Sequence, residues 1–380
     1  MTYHEYRTQA LHAYNTYKKA DNPDEAARTT FVSCSSMQEQ ICAQLPYREF
    51  APGAYAMDLQ EFIQRYPIQA DTYIFSDAPA LWRLRQIYPY VTAYATQTLV
   101  LFITHNTTIS EPIHLQTFLT ESRIQDSCTA CIVILETGTQ ATIIDTPLSK
   151  ATGTNSTAII FYTAPDAKLS LLSHLPCQDF PKNNTAQQAY AYLFRCRQNS
   201  RITATYLLHA KIKTDMWLDV QLEEPDACVT IQGLYAFSES TTARIITQQQ
   251  HTAPNTTSLI TMNGCLLGNA HATYHGRIHI ATQAQGSVAQ QRNRTLLMSD
   301  TAHAISIPSL EAIAHQVHCT HASATGTINN QELVYCMMRG LTEIQARTIL
   351  LRGFVETALG TEHVPLLTPT IDRICEEITS

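Results

Sequence analysis

The sequence has few glycines and few charged residues. Its 380 residues include 12 glycines, whereas the roughly 7% usage typical of soluble proteins would give about 27. Nucleotide-binding loops need several glycines within a few residues, and the chain contains neither G-x-G-x-x-G nor G-x-x-x-x-G-K-[ST]. We therefore expect this chain to bind no nucleotide.

Clustered positive charge is also absent. Charged residues make up 15% of the chain, the formal net charge is −7, and no lysine follows Lys213. Nucleic acid is bound through clustered Lys and Arg, so we expect no nucleic-acid partner. Apolar runs such as 99–104 and 131–135 are far shorter than the ~20 residues of a spanning helix. Because the N-terminus also lacks a leader-like pattern, we expect a cytoplasmic protein with no membrane association.

The cysteines predict a reducing environment rather than a disulfide framework. There are 11, an odd number, without the spacing of a small disulfide-rich domain. Cys128 and Cys131 form one C-x-x-C, but a structural zinc site would need a second such pair. An apolar run follows this pair and reads as a strand, on which residues three apart face opposite sides. We expect both thiols to be ordinary buried side chains.

The chain reads as helical at both ends and as strands in the centre. Tyr6, Ala10 and Tyr14 have helical spacing, and Met37, Ile41 and Leu45 repeat it. β-branched runs then recur at 72–75, 99–104, 113–119, 131–136, 141–145, 158–162, 202–208, 229–237, 243–247, 258–262 and 277–281. Composition alone leaves a sandwich, a barrel, a propeller and a solenoid open. Without a clean fixed period, a solenoid would have to be irregular.

Helix signals return near the C-terminus. A helix from residue 330 should end at Gly340, and Thr342 and Gln345 form a capping box that opens a helix to about Leu359. A last short helix is expected over 371–378, after Pro369. Periodicity alone favours packing of these helices on their own domain over docking to another protein.

Chemistry-bearing residues concentrate just before these helices, where seven of the 15 histidines lie between His271 and His321. Cys319 and His321 are two residues apart, so on a strand their side chains point the same way. Such a pair suits iron or zinc, or a cysteine nucleophile with its base, although for an isolated C-x-H a buried Cys beside a hydrogen-bonded His is the more common case. A closed metal site needs further ligands, from His303, from another strand or from a second subunit.

A series of ordered segments carries a resemblance to a known family. The segments are GRIHIA (276–281), AQQ (289–291), LLMS (296–299), PSLE (308–311), VHCTH (317–321), LVYCMMRG (333–340), AR (346–347) and GF (353–354). In this order they resemble the SufB/SufD family of iron–sulfur cluster assembly proteins, and HTAPNTTS (251–258) resembles that family's H-x-x-P-x-T-x-S segment. The resemblance covers about 250–360.

Within this family the chain is more similar to the D-type subunit than to the B-type. The B-type has a cysteine where this chain has 293–295, and a Glu-His-Glu stretch at 319–321. The D-type reads C-S-H-G at the latter position, and Ala322 departs from its glycine. Two alternatives are a homodimeric SufB-like scaffold and a β-helix carbohydrate-active enzyme. The enzyme would need paired acids, and we expect Glu223, Glu224 and Asp226 to be solvated in one loop instead.

The resemblance implies a mainly β protein with a right-handed parallel β-helix core (71–328) between an N-terminal helical domain (1–70) and a C-terminal one (329–380). It implies a non-catalytic scaffold that forms a heterodimer with a SufB-like paralogue and shares a transient, nascent iron–sulfur cluster with it. His321, with Cys319, is the implied cluster or iron ligand.

The resemblance also implies two protein contacts. The candidates for the subunit interface are Pro308, Glu311 and His318. A SufC-like ABC ATPase, which would supply the ATPase activity, is expected to dock on the C-terminal helices, and this shifts our expectation for them from packing to docking. The docking candidates are Tyr335, Arg339, Gly340, Arg347 and Phe354.

Overall fold

The computed structural model describes residues 1–19, 45, 47–76, 87–119, 127–146, 154–175, 186–360 and 364–379. Eighteen strands in these ranges form a ten-stranded and an eight-stranded sheet. In chain order they are β1 Arg48–Ala51, β2 Ala54–Asp58, β3 Gln97–Ile103, β4 Ile113–His114, β5 Ser127–Leu135, β6 Gln140–Asp145, β7 Thr154–Thr163, β8 Lys168–Leu175, β9 Gln187–Cys196, β10 Arg201–Ala210, β11 Lys213–Leu222, β12 Cys228–Phe237, β13 Thr242–His251, β14 Thr257–Leu266, β15 His271–Ile280, β16 Val288–Leu297, β17 His303–Ala312 and β18 His318–Gly326.

From β3 onward the chain coils, because successive strands alternate between the two sheets. Odd-numbered strands form the first sheet, even-numbered strands form the second, and each pairs in parallel with the strand two places along. The result is a parallel β-solenoid of about seven turns, which confirms the expected β-helix. One turn takes 26 residues between Gln187 and Lys213 but 33 between Lys168 and Arg201. This drift explains why the sequence shows no fixed period.

One corner of the coil repeats in seven successive turns, from the β3–β4 connection to the β15–β16 connection. A residue with a left-handed backbone stands there each time, namely Asn106, Gly138, Asp166, Asn199, Asp226, Asn255 and Gly286. Gly, Asn and Asp are the residue types that enter this conformation most readily. The N–H of Asp166 donates to the carbonyl of Gln198 at 2.9 Å, and the N–H of Asn199 donates to Pro225 at 3.0 Å. These turn residues are the repeat signal that the hydrophobic pattern does not show.

The interior of the coil and the outer face of the first sheet form separate cores. On β5, Val133 points inward while Ile132 and Ile134 point outward onto the N-terminal helices. Strands buried on both faces read as continuous apolar runs, which is why β5 stands out in the sequence. The N-terminal helices are α1 Tyr3–Lys19, α2 Leu59–Arg65, α3 Pro67–Gln69, a π-helical segment Ala70–Phe75 and α4 Ile87–Tyr94.

The C-terminal helices cover the outer face of the second sheet, with α5 Asn330–Met338, α6 Glu343–Leu359 and α7 Val364–Thr379. Leu351 and Val355 of α6 lie in one core with Leu234 and Cys265 of the sheet. The predicted ends of α5 and α6 are confirmed. Gly340 has φ 96°, and Thr342 and Gln345 form the capping box.

Several local predictions were wrong. A hairpin of β1 and β2 interrupts the expected N-terminal helices and pairs with β3. Residues 72–75 form the π-helical segment, because packing of Ile74 and Phe75 against the N-terminal helices overrides their strand propensity. The last helix starts at Val364 rather than at 371, since its buried stripe extends past Pro369 to Leu367.

The structure also contains strands that the sequence patterns did not predict, and some predicted residues lie outside the described ranges. Only Ile113–His114 of the expected strand 113–119 is extended, and Leu115–Thr117 forms a 3-10 turn. Strands β8, β9, β11, β16, β17 and β18 were not predicted, in part because Gln, Thr and Ser at inward positions break the apolar pattern. Met37 and Ile41 lie outside the described residues. Among the helices that are described, none has the length and apolarity to cross a membrane.

Candidate functional site at the last turn

The solenoid ends with two open strand edges. Within the described chain, β17 pairs only with β15, and β18 pairs only with β16. Three apolar side chains of β17 are strongly exposed, with Ile305 at 57%, Ile307 at 47% and Leu310 at 41%. An exposed edge presents unpaired N–H and C=O groups and readily accepts another strand. The last turn is therefore a surface suited to protein pairing.

Cys319 and His321 lie on β18 and share its inward face, as the spacing predicts. In the parallel register Cys319 is beside Ala289 and His321 is beside Gln291, and both partners are buried. Cys319 is half-buried against the small cluster formed by Ile278, Ile280, Ala284, Ala289 and Ala314. His321 is exposed, because β18 is the last strand of the second sheet within the described residues.

The Cys319 thiol lacks the lowered pKa of an activated nucleophile. Burial raises its pKa above the ordinary cysteine value. Reactive cysteines have depressed pKa values, usually through a nearby cation or a helix N-terminus. A metal can still take the sulfur as thiolate by displacing its proton. The raised pKa therefore gives no support to a nucleophilic role for Cys319.

His303 does not complete the Cys319–His321 pair. It begins β17, whereas Cys319 lies at the corner where β17 ends, roughly 30 Å away along the strand at ~3.3 Å per residue. Its ring instead lies 5.0 Å from that of His271, the register partner on β15. Across the part of the chain that the structure describes, no three His, Cys, Asp or Glu side chains are grouped to hold a metal ion.

The expected interface residues all lie on the last turn. Pro308 is an exposed residue of the edge strand β17, a position where proline costs no ladder hydrogen bond. Glu311 accepts hydrogen bonds from His279 at 3.2 Å and Arg277 at 3.3 Å, which lower its pKa. His318 is exposed at the start of β18.

The H-x-x-P-x-T-x-S segment forms a buried polar network and makes no surface site. His251 is fully buried, and its two ring nitrogens lie 2.7 Å from the hydroxyls of Thr256 and Ser258. Ser258 in turn donates to Gln249, and Thr256 lies 2.8 Å from Ser287 in the next turn. Burial lowers the pKa of His251 to about 4. This segment therefore ties adjacent turns together at the repeating corner.

A second polar network crosses the interior below the last turn. The side-chain amide of Gln291 donates to the hydroxyl of Thr247 at 2.6 Å and to that of Tyr274 at 2.9 Å. Beside it, Asn293 donates to the hydroxyl of Tyr235 at 3.1 Å and to the carbonyl of Met262 at 2.9 Å. Sequence patterns did not identify these networks, because an inward polar residue resembles an outward one in the sequence.

Four of the five docking candidates lie around the turn between α5 and α6. The Arg339 guanidinium stacks 5.2 Å from the ring centre of Tyr335, and Arg347 pairs with Glu343 at 2.8 Å. Phe354 is elsewhere, under Arg294 at 5.4 Å, in a groove of about 670 Å³ between α6 and the second sheet.

The remaining sequence candidates are structural. Cys128 and Cys131 are buried on opposite faces of β5, as predicted. The acids at 223 and 224 were expected to be solvated, but Glu223 pairs with Arg195 and Arg197, and Glu224 lies 3.3 Å from Arg197. These pairs hold adjacent turns together.

Comparison with known proteins gives a consistent result. The family model described as "SUF system FeS cluster assembly, SufBD core domain" matches residues 118–354. A SufBD family iron–sulfur cluster assembly protein of Mycobacterium tuberculosis is 35% identical over 123 residues, which is 30% of this chain and 31% of that protein. A SufBD family protein of Mycobacterium leprae is 30% identical over 155 residues, covering 39% of this chain and 40% of the relative.

The iron–sulfur cluster assembly protein SufB of Bacillus subtilis is 28% identical over 106 residues, 28% of this chain and 23% of that protein. These alignments thus span less than half the length of the relatives. The family model, by contrast, covers more than half of this chain and all of the turns from β5 to β18. The chain belongs to the SufBD family of the SUF system for iron–sulfur cluster assembly.

Proposed function

We propose that this chain is a SufD-like scaffold subunit that assembles a nascent iron–sulfur cluster together with a SufB-like partner. The observation that carries the proposal is the open last turn, where His321 is exposed on a strand edge next to the half-buried Cys319. A scaffold role agrees with the absence of a glycine-rich nucleotide loop from the sequence.

Asn293 supports the D-type assignment over the homodimeric B-like alternative. It stands within the segment 293–295, where the B-type subunit has a cysteine, and its side chain is buried and bonded to Tyr235 and Met262. At this position the interior of the coil contains the hydrogen-bonded amide of Asn293 and no thiol.

The SufB-like partner would dock on the end of the coil. Ile305, Ile307 and Ile313 form an exposed apolar strip beside the free edge of β17. A partner with a matching solenoid end would cover this strip and pair with both edge strands. It would also bring its own ligands to Cys319 and His321, which are too few by themselves for a closed site.

The ligand role is tested by reconstituting clusters in a complex of this chain, its SufB-like partner and the ATPase. We expect His321→Ala to lower the yield of cluster per complex at least fivefold, measured by absorbance and by iron and sulfide content. His303→Ala is the matched control, because His303 is an exposed imidazole at the other end of the last turn. Wild-type yield in His321→Ala would refute the ligand role.

The interface is tested separately. Replacing both Ile305 and Ile307 by Ser should weaken co-purification with the SufB-like partner, since it removes two apolar side chains from the proposed contact. Ile68→Ser is the control, because Ile68 is 76% exposed on α3, far from the last turn. Equal recovery of partner with both variants would place the interface elsewhere.

The C-terminal helices would bind the SufC-like ATPase. Exposed apolar side chains cluster around the α5–α6 turn, including Tyr335 at 58%, Met338 at 81% and Ile344 at 62%. Met338→Ser should weaken binding of the ATPase in a calorimetric titration while leaving the SufB-like contact intact. Leu366→Ser, at 64% exposure on α7, is the control. Unchanged affinity in Met338→Ser would exclude this surface.

We further propose that the protein acts in the cytoplasm. The cysteines in the described ranges form no disulfide with one another. Reduced thiols in this number are typical of a reducing compartment.

A further inference from the structure

We infer that Gln291 is a positioning residue that orients the His321 ring for ligation. This inference rests on the proposed ligand role of His321 and adds a residue that no sequence motif assigned to the site. It starts from the parallel register, in which Gln291 of β16 is the direct neighbour of His321 on β18. Neighbouring strands lie about 4.8 Å apart, so two inward side chains in register stack on each other.

The Gln291 side chain is held in one orientation. Its amide nitrogen donates to Thr247 at 2.6 Å and to Tyr274 at 2.9 Å, and these two hydroxyls lie 2.8 Å from each other. The residue is 2% exposed. Two donated hydrogen bonds use both N–H groups of the amide, so the nitrogen end is fully anchored.

Strand β15, on the opposite side of the interior, leaves space for the Gln291 side chain at Gly276. A Cβ atom added at Gly276 of β15 would lie 2.1 Å from the Gln291 nitrogen and 2.5 Å from its oxygen. Gly276 therefore provides the space through which the amide crosses the interior. This accounts for a glycine inside a strand, where it otherwise weakens the sheet.

The oxygen end of the amide remains available. Oε1 of Gln291 is buried and has no hydrogen-bond partner among the described residues. A buried acceptor without a donor is unfavourable, so this oxygen is a suitable acceptor for an N–H from a neighbouring side chain. His321 is the register neighbour of Gln291 in the last turn, and a ring N–H is a suitable donor.

This arrangement matches the way proteins orient ligating histidines. A histidine that binds a metal through one nitrogen usually donates its other N–H to a carbonyl or carboxylate, which sets the tautomer and the ring direction. Gln291 Oε1 would be that acceptor. The remaining nitrogen of His321 would then face the open end, where the SufB-like partner docks.

The first test uses the isolated full chain and does not depend on cluster assembly. Ring-nitrogen spectra of ¹⁵N-histidine-labelled protein would be recorded, with the His321 signals assigned by H321Q. We expect one dominant tautomer in the wild type and in Q291E, which keeps an acceptor, but averaged tautomers in Q291M. Identical His321 signals in wild type and Q291M would overturn the inference.

A matched control separates orientation from general loss of packing. N293L removes the neighbouring buried amide, whose register partner is Ser323 rather than His321. We expect N293L to leave the His321 signals unchanged, and a shift equal to that of Q291M would overturn the inference. If Q291M does not fold, T247V serves instead, because it removes one of the two hydroxyls that accept hydrogen bonds from the Gln291 amide. We expect the His321 signals of T247V to show a more even mixture of the two tautomers. Unchanged His321 signals in T247V would then overturn the inference.

The second test measures clusters in the reconstituted complex. We expect about a tenfold loss in Q291M, the range seen when groups that orient a metal ligand are removed, with recovery in Q291E. Wild-type yield in Q291M would overturn the inference even if H321A abolishes assembly. Wild-type yield in H321A would instead remove the ligand role, while the spectra would still report whether Gln291 holds the ring.

Discussion

The buried His251 predicts that the solenoid loses stability in mild acid. The ring lies between Thr256 and Ser258, is fully buried, and has its pKa lowered by burial from 6.5 to about 4. In the unfolded chain the same ring takes up a proton near pH 6.5. A group with a depressed folded pKa binds fewer protons in the native state, so the stability it provides is present above pH 6.5 and falls as the pH drops towards 4.

The size of this loss follows from the two pKa values. A pKa difference of about 2.5 units corresponds to about 3.4 kcal/mol once the pH is below 4, because one unit equals 1.36 kcal/mol. Linkage between the two states gives about 2 kcal/mol at pH 5 and about 0.2 kcal/mol at pH 7. The wild type should therefore lose about 2 kcal/mol between pH 7 and pH 5 through His251 alone.

The assay is urea unfolding followed by circular dichroism at pH 7, 6 and 5, for wild type and His251→Gln. Glutamine keeps a donor and an acceptor for Thr256 and Ser258 but does not titrate in this range. We expect the variant to be less stable at pH 7 and to lose about 2 kcal/mol less than the wild type by pH 5. His12→Gln is the control, because His12 is exposed on α1 and its removal leaves the buried His251 in place. A stability difference between wild type and His251→Gln that is constant with pH would refute the reasoning.

Three further predictions concern single turns and caps. Gly276→Ala should cost about 2 kcal/mol in urea unfolding, because its Cβ would collide with Gln291, whereas Gly353→Ala meets no atom within 4 Å and should be neutral or slightly stabilising. Asn255→Val should cost about 1–2 kcal/mol of unfolding free energy, since φ of Asn255 is 57°, while Asn255→Gly should be nearly neutral. Equal effects of the two substitutions would contradict a requirement for the left-handed backbone at this corner. Thr342→Ala should lower the free energy of unfolding by about 1 kcal/mol, because it removes the capping box of α6. Thermal or urea unfolding measures this loss, and an unchanged stability would show that packing alone holds that helix end.

Local signals in the sequence predicted the features that depend on neighbouring residues. The left-handed glycine at 340, the Thr342–Gln345 box and the end of α6 at Leu359 follow from hydrogen bonding within one helical turn. The opposite faces of Cys128 and Cys131 follow from strand geometry alone. The shared inward face of Cys319 and His321 follows from the same rule once residues 318–326 form a strand.

Predictions failed where distant packing decides the local structure. Ile74 and Phe75 have strand propensity but lie in a π-helical segment, since the N-terminal helices bury them. The π-helical segment and the β1–β2 hairpin depend on contacts with the first sheet that no short window contains. Composition and pattern could therefore identify β content without selecting the coil, and the family resemblance supplied that choice.

The sequence by itself determined the family, the presence of strands and the caps of the C-terminal helices, because each depends on residue types at short spacing. Only the tertiary structure decided which polar residues are internal. His251, Asn293 and Gln291 are polar in sequence, but stacking of turns 26 to 33 residues apart places them inside the coil with partners from other turns. The exposed edge at His321 is also a tertiary property, because among the described strands β18 pairs only with β16 and no further turn stacks on it.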